Sequence, residues 1–233
     1  ERGFGGRLGN EGETLEAAWT PDGSGVVFAA TTNRHEGART QVNVSLWHVM
    51  LNGGEPRRLT GEEGDYSSPE FTPDGAMLLA KVQAASKRWV YSTDRLVRWS
   101  WLSLGERTVI TEGVAESVGQ YVPAPDSRHV FFIAEQAGHE KLFQVPLTGG
   151  APSQVGQLDA GTYTRIAVGG AAAAPMVGAI WSSSVSPHEV GRVDLATGRW
   201  SALTTFSTAR AAAIDWQPAE TFWFTSKRGK QIH

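Results

Sequence analysis

Few side chains in this sequence stand in patterns that chemistry could use. Ser117 lies in Ala115-Glu116-Ser117-Val118-Gly119. A nucleophile elbow needs Gly-x-Ser-x-Gly between a strand and a helix, because the sharp turn lifts the hydroxyl toward its base. Here Ala115 replaces the first glycine, and a loop leads into a β pattern, so Ser117 is not expected to attack anything. The six histidines are His35, His48, His129, His139, His188 and His233. No two stand four residues apart, so the paired-histidine zinc motif is absent. His139 and Glu140 read as exposed loop ahead of a strand. There is no cysteine, which excludes a disulfide, a thiolate zinc site, an iron–sulfur cluster and a cysteine nucleophile. Asp22, Asp74 and Asp126 recur without Asp-x-Asp spacing and are expected to shape turns rather than hold a metal. The expectation is no catalytic, cofactor-binding or metal-binding residue in this chain, and no cofactor.

Composition narrows the class further. The chain has 233 residues, a net charge of -3 and 19% charged residues. It carries no basic stripe, so phosphate-driven binding of nucleic acid has no basis. No apolar run approaches the roughly 18 residues of a membrane span. Gly 27 and Pro 11 favour many short strands joined by turns. A cysteine-free chain suits cytoplasm and periplasm alike, so the compartment stays open. The sequence begins at Glu1 and ends at His233 without an initiating Met or a signal-like segment, and reads as part of something longer.

The elements that must position these residues come from an internal repeat. Ala18-Trp19-Thr20-Pro21-Asp22-Gly23, Glu70-Phe71-Thr72-Pro73-Asp74-Gly75 and Pro123-Ala124-Pro125-Asp126-Ser127 each precede an apolar run. Those runs are Val26-Val27-Phe28, Met77-Leu78-Leu79 and Val130-Phe131-Phe132-Ile133. A degenerate copy is Ala174-Pro175 with Val177-Gly178-Ala179-Ile180-Trp181. The prolines at 21, 73, 125 and 175 are spaced by 52, 52 and 50 residues. A second landmark, two short strands around a glycine turn, recurs in phase near Gly54, Gly105, Gly150 and Gly198.

The turn chemistry is local. Proline pre-sets φ at the second turn position, Thr can cap with its hydroxyl, and Gly takes the exit conformation. Gly53-Gly54 and Gly149-Gly150 suit primed hairpin turns, which need positive φ. Each repeat thus reads as four antiparallel strands in about 50 residues, the unit of a β-propeller blade. The fold class is all-β, with repeats at 14–60, 66–111, 118–156 and 163–204. Phe28 and Phe132 are expected to be buried at equivalent places. Trp19, Trp47 and Trp181 are expected to pack as blade core. Residues 1–12 read as the tail of an earlier blade. Their glycines, Gly3, Gly5, Gly6 and Gly9, are no dinucleotide fingerprint, because its third glycine falls at Leu8.

After Thr204 the pattern changes. Trp216-Gln217-Pro218 mimics a blade start but comes too early. Thr221 to Ser226 alternates aromatic and polar residues as a strand does, followed by a basic glycine turn and a second strand. Pro218, Phe222, Phe224, Ser226, Gly229, Ile232 and His233 match the pattern P-x-x-F-x-F-x-S-x-x-G-x-x-I-H. This resembles the junction between propeller and hydrolase in the prolyl oligopeptidase family of serine peptidases. The acylaminoacyl-peptidase and dipeptidyl-aminopeptidase-like bacterial branch is the most similar. Gly53-Gly54-Glu55-Pro56-Arg57-Arg58-Leu59-Thr60 and the Pro-Asp-Gly turns also look like that family's propeller, and are shared with TolB-type periplasmic propellers.

The resemblance implies the following. Residues 13–207 are propeller blades, four of an expected seven. Residues 208–233 are a linker and the first strand of an α/β-hydrolase domain, which carries the Ser, Asp and His of catalysis beyond His233. His233 then holds a strand position and is not the catalytic histidine. The partners are that C-terminal domain and short peptides, which the propeller admits while excluding folded proteins. Propeller acids of the dipeptidyl branch bind the substrate amino terminus, and the candidates are Glu62, Glu63, Asp65, Glu112 and Glu116. The alternative is a TolB-like propeller that binds proteins without catalysis. A polysaccharide-lyase propeller lacks its cluster of His and Arg ligands here.

Overall fold

The computed structural model describes residues 16–36, 39–40, 42–84, 92–156 and 160–233. The proposed blade tail at 1–12 lies outside the described residues. The repeat folds as four consecutive four-stranded antiparallel sheets. Sheet one holds β1 (Ala17–Trp19), β2 (Gly25–Ala30), β3 (Ser45–Met50) and β4 (Arg57–Arg58). Sheet two holds β5 (Gly64–Phe71), β6 (Met77–Ala84), β7 (Asp94–Ser100) and β8 (Thr108–Val109). Sheet three holds β9 (Val118–Pro123), β10 (His129–Gln136), β11 (His139–Pro146) and β12 (Ser153–Gln154). Sheet four holds β13 (Thr162–Ala171), β14 (Ala174–Ser183), β15 (Ser186–Val193) and β16 (Trp200–Ala202). Each is a simple meander with its strands in chain order, the arrangement of a propeller blade. The last strand is two or three residues long in every sheet, which keeps the outer edges short and hard to pair with another chain.

The Thr-Pro-Asp-Gly turns close as their residues dictate. The Gly23 amide donates to the Thr20 carbonyl at 2.9 Å, and the Gly75 amide to the Thr72 carbonyl at 2.8 Å. The exit residues are left-handed, with φ of 69° at Gly23, 71° at Gly75 and 52° at Ser127. The Thr20 hydroxyl donates to Asp22 Oδ1 at 2.7 Å and accepts the Gly25 amide at 2.9 Å. Thr72 repeats this with Asp74 at 2.6 Å and the Met77 amide at 3.1 Å. In the third turn Ala124 replaces the threonine, and Asp126 instead meets the His129 ring at 2.6 Å. The three aspartates are therefore occupied as turn caps. The Thr20 hydroxyl is the first reason that the Asp22 carboxyl falls to about 2.

Packing between sheets follows from the period of two along a strand, which sends successive side chains to opposite faces. On β10, Val130, Phe132 and Ala134 enter the core shared with sheet two. Phe131 and Ile133 enter the core shared with sheet four. On β6, Leu78, Ala80 and Val82 face sheet one, while Leu79 faces sheet three. The register repeats. Phe28, Ala80 and Phe132 stand seven residues past the turn prolines, and Val27, Leu79 and Phe131 stand six past. Phe28 and Phe132 are buried as expected. Ala80, their equivalent, shares its core with the rings of Tyr66 and Trp99, 5.9 Å apart. The first strand of each later sheet meets the sheet before it: β5 on β1 to β3, β9 on β5 and β7, β13 on β9 to β11. No comparable packing joins sheet four to sheet one among the described residues.

Four expectations need correction. Trp19 is not blade core but 63% exposed, because it ends the three-residue β1 where the sheet gives way to the turn. Trp47 and Trp181 are partly buried, and the Trp181 ring lies 5.2 Å from that of Trp200, tilted by 40°. Pro175 is not a turn proline; it sits inside β14 opposite Gly170, and the turn falls on the two alanines between β13 and β14. Gly53-Gly54 and Gly149-Gly150 do have positive φ, but they follow a turn instead of forming the centre of a primed one. The Gly53 and Gly149 amides close turns onto Met50 and Pro146 at 3.2 and 2.9 Å, which puts the glycines at the exit. The alternation from Thr221 to Ser226 forms strand only at Phe224–Thr225.

Replacing Phe132 by Ala should lower unfolding stability by about 3–5 kcal/mol, since both sides of the ring are packed. Replacing Trp19 by Ala should change it by less than about 0.5 kcal/mol. Denaturant midpoints of the two variants measure the contrast, and equal losses would contradict the register.

Candidate functional site beneath the C-terminal segment

A meander of four strands puts its turns on two opposite rims. The Pro-Asp-Gly turns lie on one. The hairpins between second and third strands lie on the other, with the connections from one sheet to the next. All five acids singled out from the sequence fall on this second rim, between β4 and β5, at the start of β5, or between β8 and β9. Their positions differ in chemistry. Glu62 meets Arg58 at 3.4 Å. Glu63 accepts the Tyr66 hydroxyl and lies 3.5 Å from Arg107. Asp65 accepts the Val44 amide at 2.6 Å and so splices sheet one to sheet two. The carboxyls of Glu112 and Glu116 have no hydrogen bond or ion pair among the described residues.

The chain after sheet four crosses the same rim. It leaves β16 through a clamp that the sequence did not advertise, the buried Glu189 on β15. Its carboxylate accepts the Thr204 hydroxyl, the Phe206 amide at 3.1 Å and the Ser207 amide at 2.7 Å. These are the donors at the entry of the short helix α1 (Thr208–Ala211). The Thr204 hydroxyl first, and then the Ser207 amide, hold the Glu189 carboxyl below its ordinary range. Nothing in the local sequence around Glu189 signals this, because its partners lie 15 to 19 residues away. Beyond α1, the Trp216 ring donates to the Ala211 carbonyl at 2.9 Å, and the Ala219 amide to Ser184 of the β14–β15 hairpin at 3.1 Å. The segment ends in β17 (Phe224–Thr225) paired with β18 (Gln231–Ile232) around Gly229.

Where this hairpin passes sheets two and three, a cleft of about 510 Å³ opens between Thr93, Glu116, Ser117, Glu135, Trp223 and His233. The Trp223 and His233 rings lie 4.8 Å apart. His233 reaches the β10–β11 turn, where a Cβ on Gly138 would come within 3.2 Å of its ring. That turn, Ala137-Gly138 with φ of 53° and 74°, is the primed hairpin. Glu135 and Glu140 stand directly opposite across it, and like charges so placed disfavour each other. Burial, and then Glu135, push the Glu140 carboxyl up. The fold thus brings Glu116, Ser117 and His233 to one cleft. The Ser117 hydroxyl there accepts the Asp94 amide at 2.9 Å. No serine–histidine hydrogen bond forms in the cleft among the described residues. No group of three metal-ligating side chains occurs among the described residues. What the cleft offers is negative charge beside aromatic faces, on a rim that ends in a hairpin with a basic turn.

Replacing Glu189 by Ala should free the exit of the segment, seen as faster tryptic cleavage at Arg210 with sheets one to three still protected. The depressed carboxyl fixes the sign for acid. The clamp is fully present above the ordinary 4.5 and is lost as pH falls through its lower folded value. Cleavage by an acid-tolerant protease should rise in that window, and unchanged cutting at Arg210 in the variant would refute the clamp.

No protein-family model matches the chain. Dipeptidyl-peptidase 5 of Porphyromonas gingivalis is 24% identical over 160 residues, which cover 63% of this chain and 23% of that protein. The acylaminoacyl peptidase of Pyrococcus horikoshii superposes with a TM-score of 0.69 at 15% identity, over 92% of this chain and 31% of that one. A TolB protein from Agrobacterium tumefaciens superposes with a TM-score of 0.57 at 16% identity, over 81% of this chain and 64% of that one. The chain therefore spans about a quarter to a third of the length of the peptidases it matches. Blade architecture, sequence similarity to a dipeptidyl peptidase and superposition on an acylaminoacyl peptidase converge: the chain is a β-propeller segment of the kind carried by prolyl oligopeptidase-family peptidases.

Proposed function

We propose that this segment is the access-controlling propeller of a serine peptidase whose catalytic residues lie on a following α/β-hydrolase domain. In this reading the four blades belong to a seven-bladed ring, and residues 208–233 are the linker and first strand of the hydrolase. The observation that carries it is the C-terminal segment. It turns back over the rim of sheets four, three and two and leaves Phe222, Trp223, Phe224 and Ile232 exposed together. Apolar surface gathered in this way marks a contact face. A hydrolase domain seated there would face Glu112 and Glu116, the rim acids left without a bonding partner among the described residues. A narrow passage through stacked blades passes an extended peptide and stops a folded protein, so the substrates are short or flexible peptides. The TolB superposition supports a second reading, in which the same rim binds a protein partner and no hydrolase follows.

An active-site-directed serine hydrolase probe and aminoacyl chromogenic substrates separate the two. The longer natural protein should label and turn over, while residues 1–233 alone should do neither. Ser117→Ala in the longer protein should leave labelling intact, since the Ser117 hydroxyl is committed to the Asp94 amide. Labelling lost with Ser117 would overturn the assignment of catalysis to another domain. A longer protein inert to every peptide would move the function to protein binding.

A further inference from the structure

The seam between sheets two and three holds a carboxyl that no reading above uses. Glu70 stands on β5 opposite Leu79 of β6. Directly opposed residues of antiparallel strands share a face, and Leu79 faces the core that sheet two shares with sheet three. Glu70 therefore enters the seam, toward Val118 and Tyr121 of β9. It is partly buried, and no donor or cation among the described residues reaches its carboxyl.

The surrounding charges are already committed. Lys81, on the same face of β6, pairs with Asp94 at 3.7 Å. Arg98 of β7, opposite Leu79, donates to the Leu147 carbonyl. Glu16, just ahead of β1, accepts the Ser68 amide at 2.6 Å. Tyr121 is buried, and its hydroxyl donates to the Ser68 carbonyl. Ser68 lies in the irregular part of β5, between Ser67 and Glu70, with φ of 52°. Three sheets are thus tied together at Ser68, and the Glu70 and Glu16 carboxyls both act on the buried Tyr121 phenol. An anion there loses hydration and receives no donor or counter-charge from the described residues in return, whereas a neutral carboxyl suits the walls of Leu79, Val118 and Tyr121.

We propose that Glu70 is a proton-operated latch on this seam: protonated, it lets sheets two and three close, and its ionisation loosens them. The device goes beyond the access-controlling reading and stands whether or not a hydrolase domain follows. Burial raises the Glu70 carboxyl from 4.5 to about 7. The folded value lies above the ordinary one, so opening releases a proton. The seam weakens as pH rises from 4.5 toward 7 and is level above that. A shift of conditions around neutrality then changes how readily this side of the stack parts.

Hydrogen exchange of the whole chain tests the latch. After correction for the chemical exchange rate, residues 64–71 and 118–123 should exchange about tenfold faster at pH 8.5 than at pH 6. That is the ratio set by a carboxyl titrating near 7 when closed and at 4.5 when open. Residues 162–168, in the seam between sheets three and four, should show no such rise. Glu70→Gln should abolish it, leaving the slow exchange of the closed seam at both pH values. A rise that persists in Glu70→Gln, or one equal in all seams, overturns the proposal. Carbon-detected titration of the unaltered chain gives an independent reading if the variant folds poorly. A Glu70 carboxyl titrating near 7 supports the latch, and one titrating near 4.5 eliminates it.

Discussion

Burial of both faces of the middle strands in the inner sheets is the constraint on which this structure depends. A strand such as β10 carries Val130, Phe132 and Ala134 to one side and Phe131 and Ile133 to the other. A single four-stranded sheet covers neither of its own faces, so with both faces apolar it is no stable unit by itself. Stacking solves the problem, because each sheet supplies the cover for its neighbour. The blade order, the short outer strands and the placing of the first strands against the preceding sheet all follow. The same constraint makes the polar residues in the seams conspicuous, since they stand where the repeat otherwise places aliphatic side chains.

Two carboxylates show how the same group acquires opposite character inside this frame. Glu189 gathers hydroxyl and amide donors from the departing chain and stays ionised into acid. Glu70 faces Leu79 and Tyr121 without a donor among the described residues, and burial disfavours its charge. The difference lies in what each is packed against, not in the residue type. One carboxylate fixes where the C-terminal segment leaves the stack. The other makes one seam respond to protons. One acts at the rim and the other in a seam between sheets.

The sequence by itself determined the repeat, through prolines about 50 residues apart, and the first three Pro-Asp turns, whose groups lie at most five residues apart. Thr20, Pro21, Asp22 and Gly23 close their turn with their own groups, and Phe28 and Phe132 take their face from the count past the proline. It also marked the five acids, though not which of them are committed. Tertiary structure decided the rest. Trp19 is exposed because its strand ends there, and Pro175 entered a strand because the turn of the fourth repeat moved onto alanines. Asp65 became a splice through an amide 21 residues away, and Ser117 and His233 met in one cleft only when the C-terminal segment folded back over the rim. A local pattern can specify the direction in which a side chain points. What it meets there is supplied by another sheet, and that partner sets its burial, its bonds and its charge.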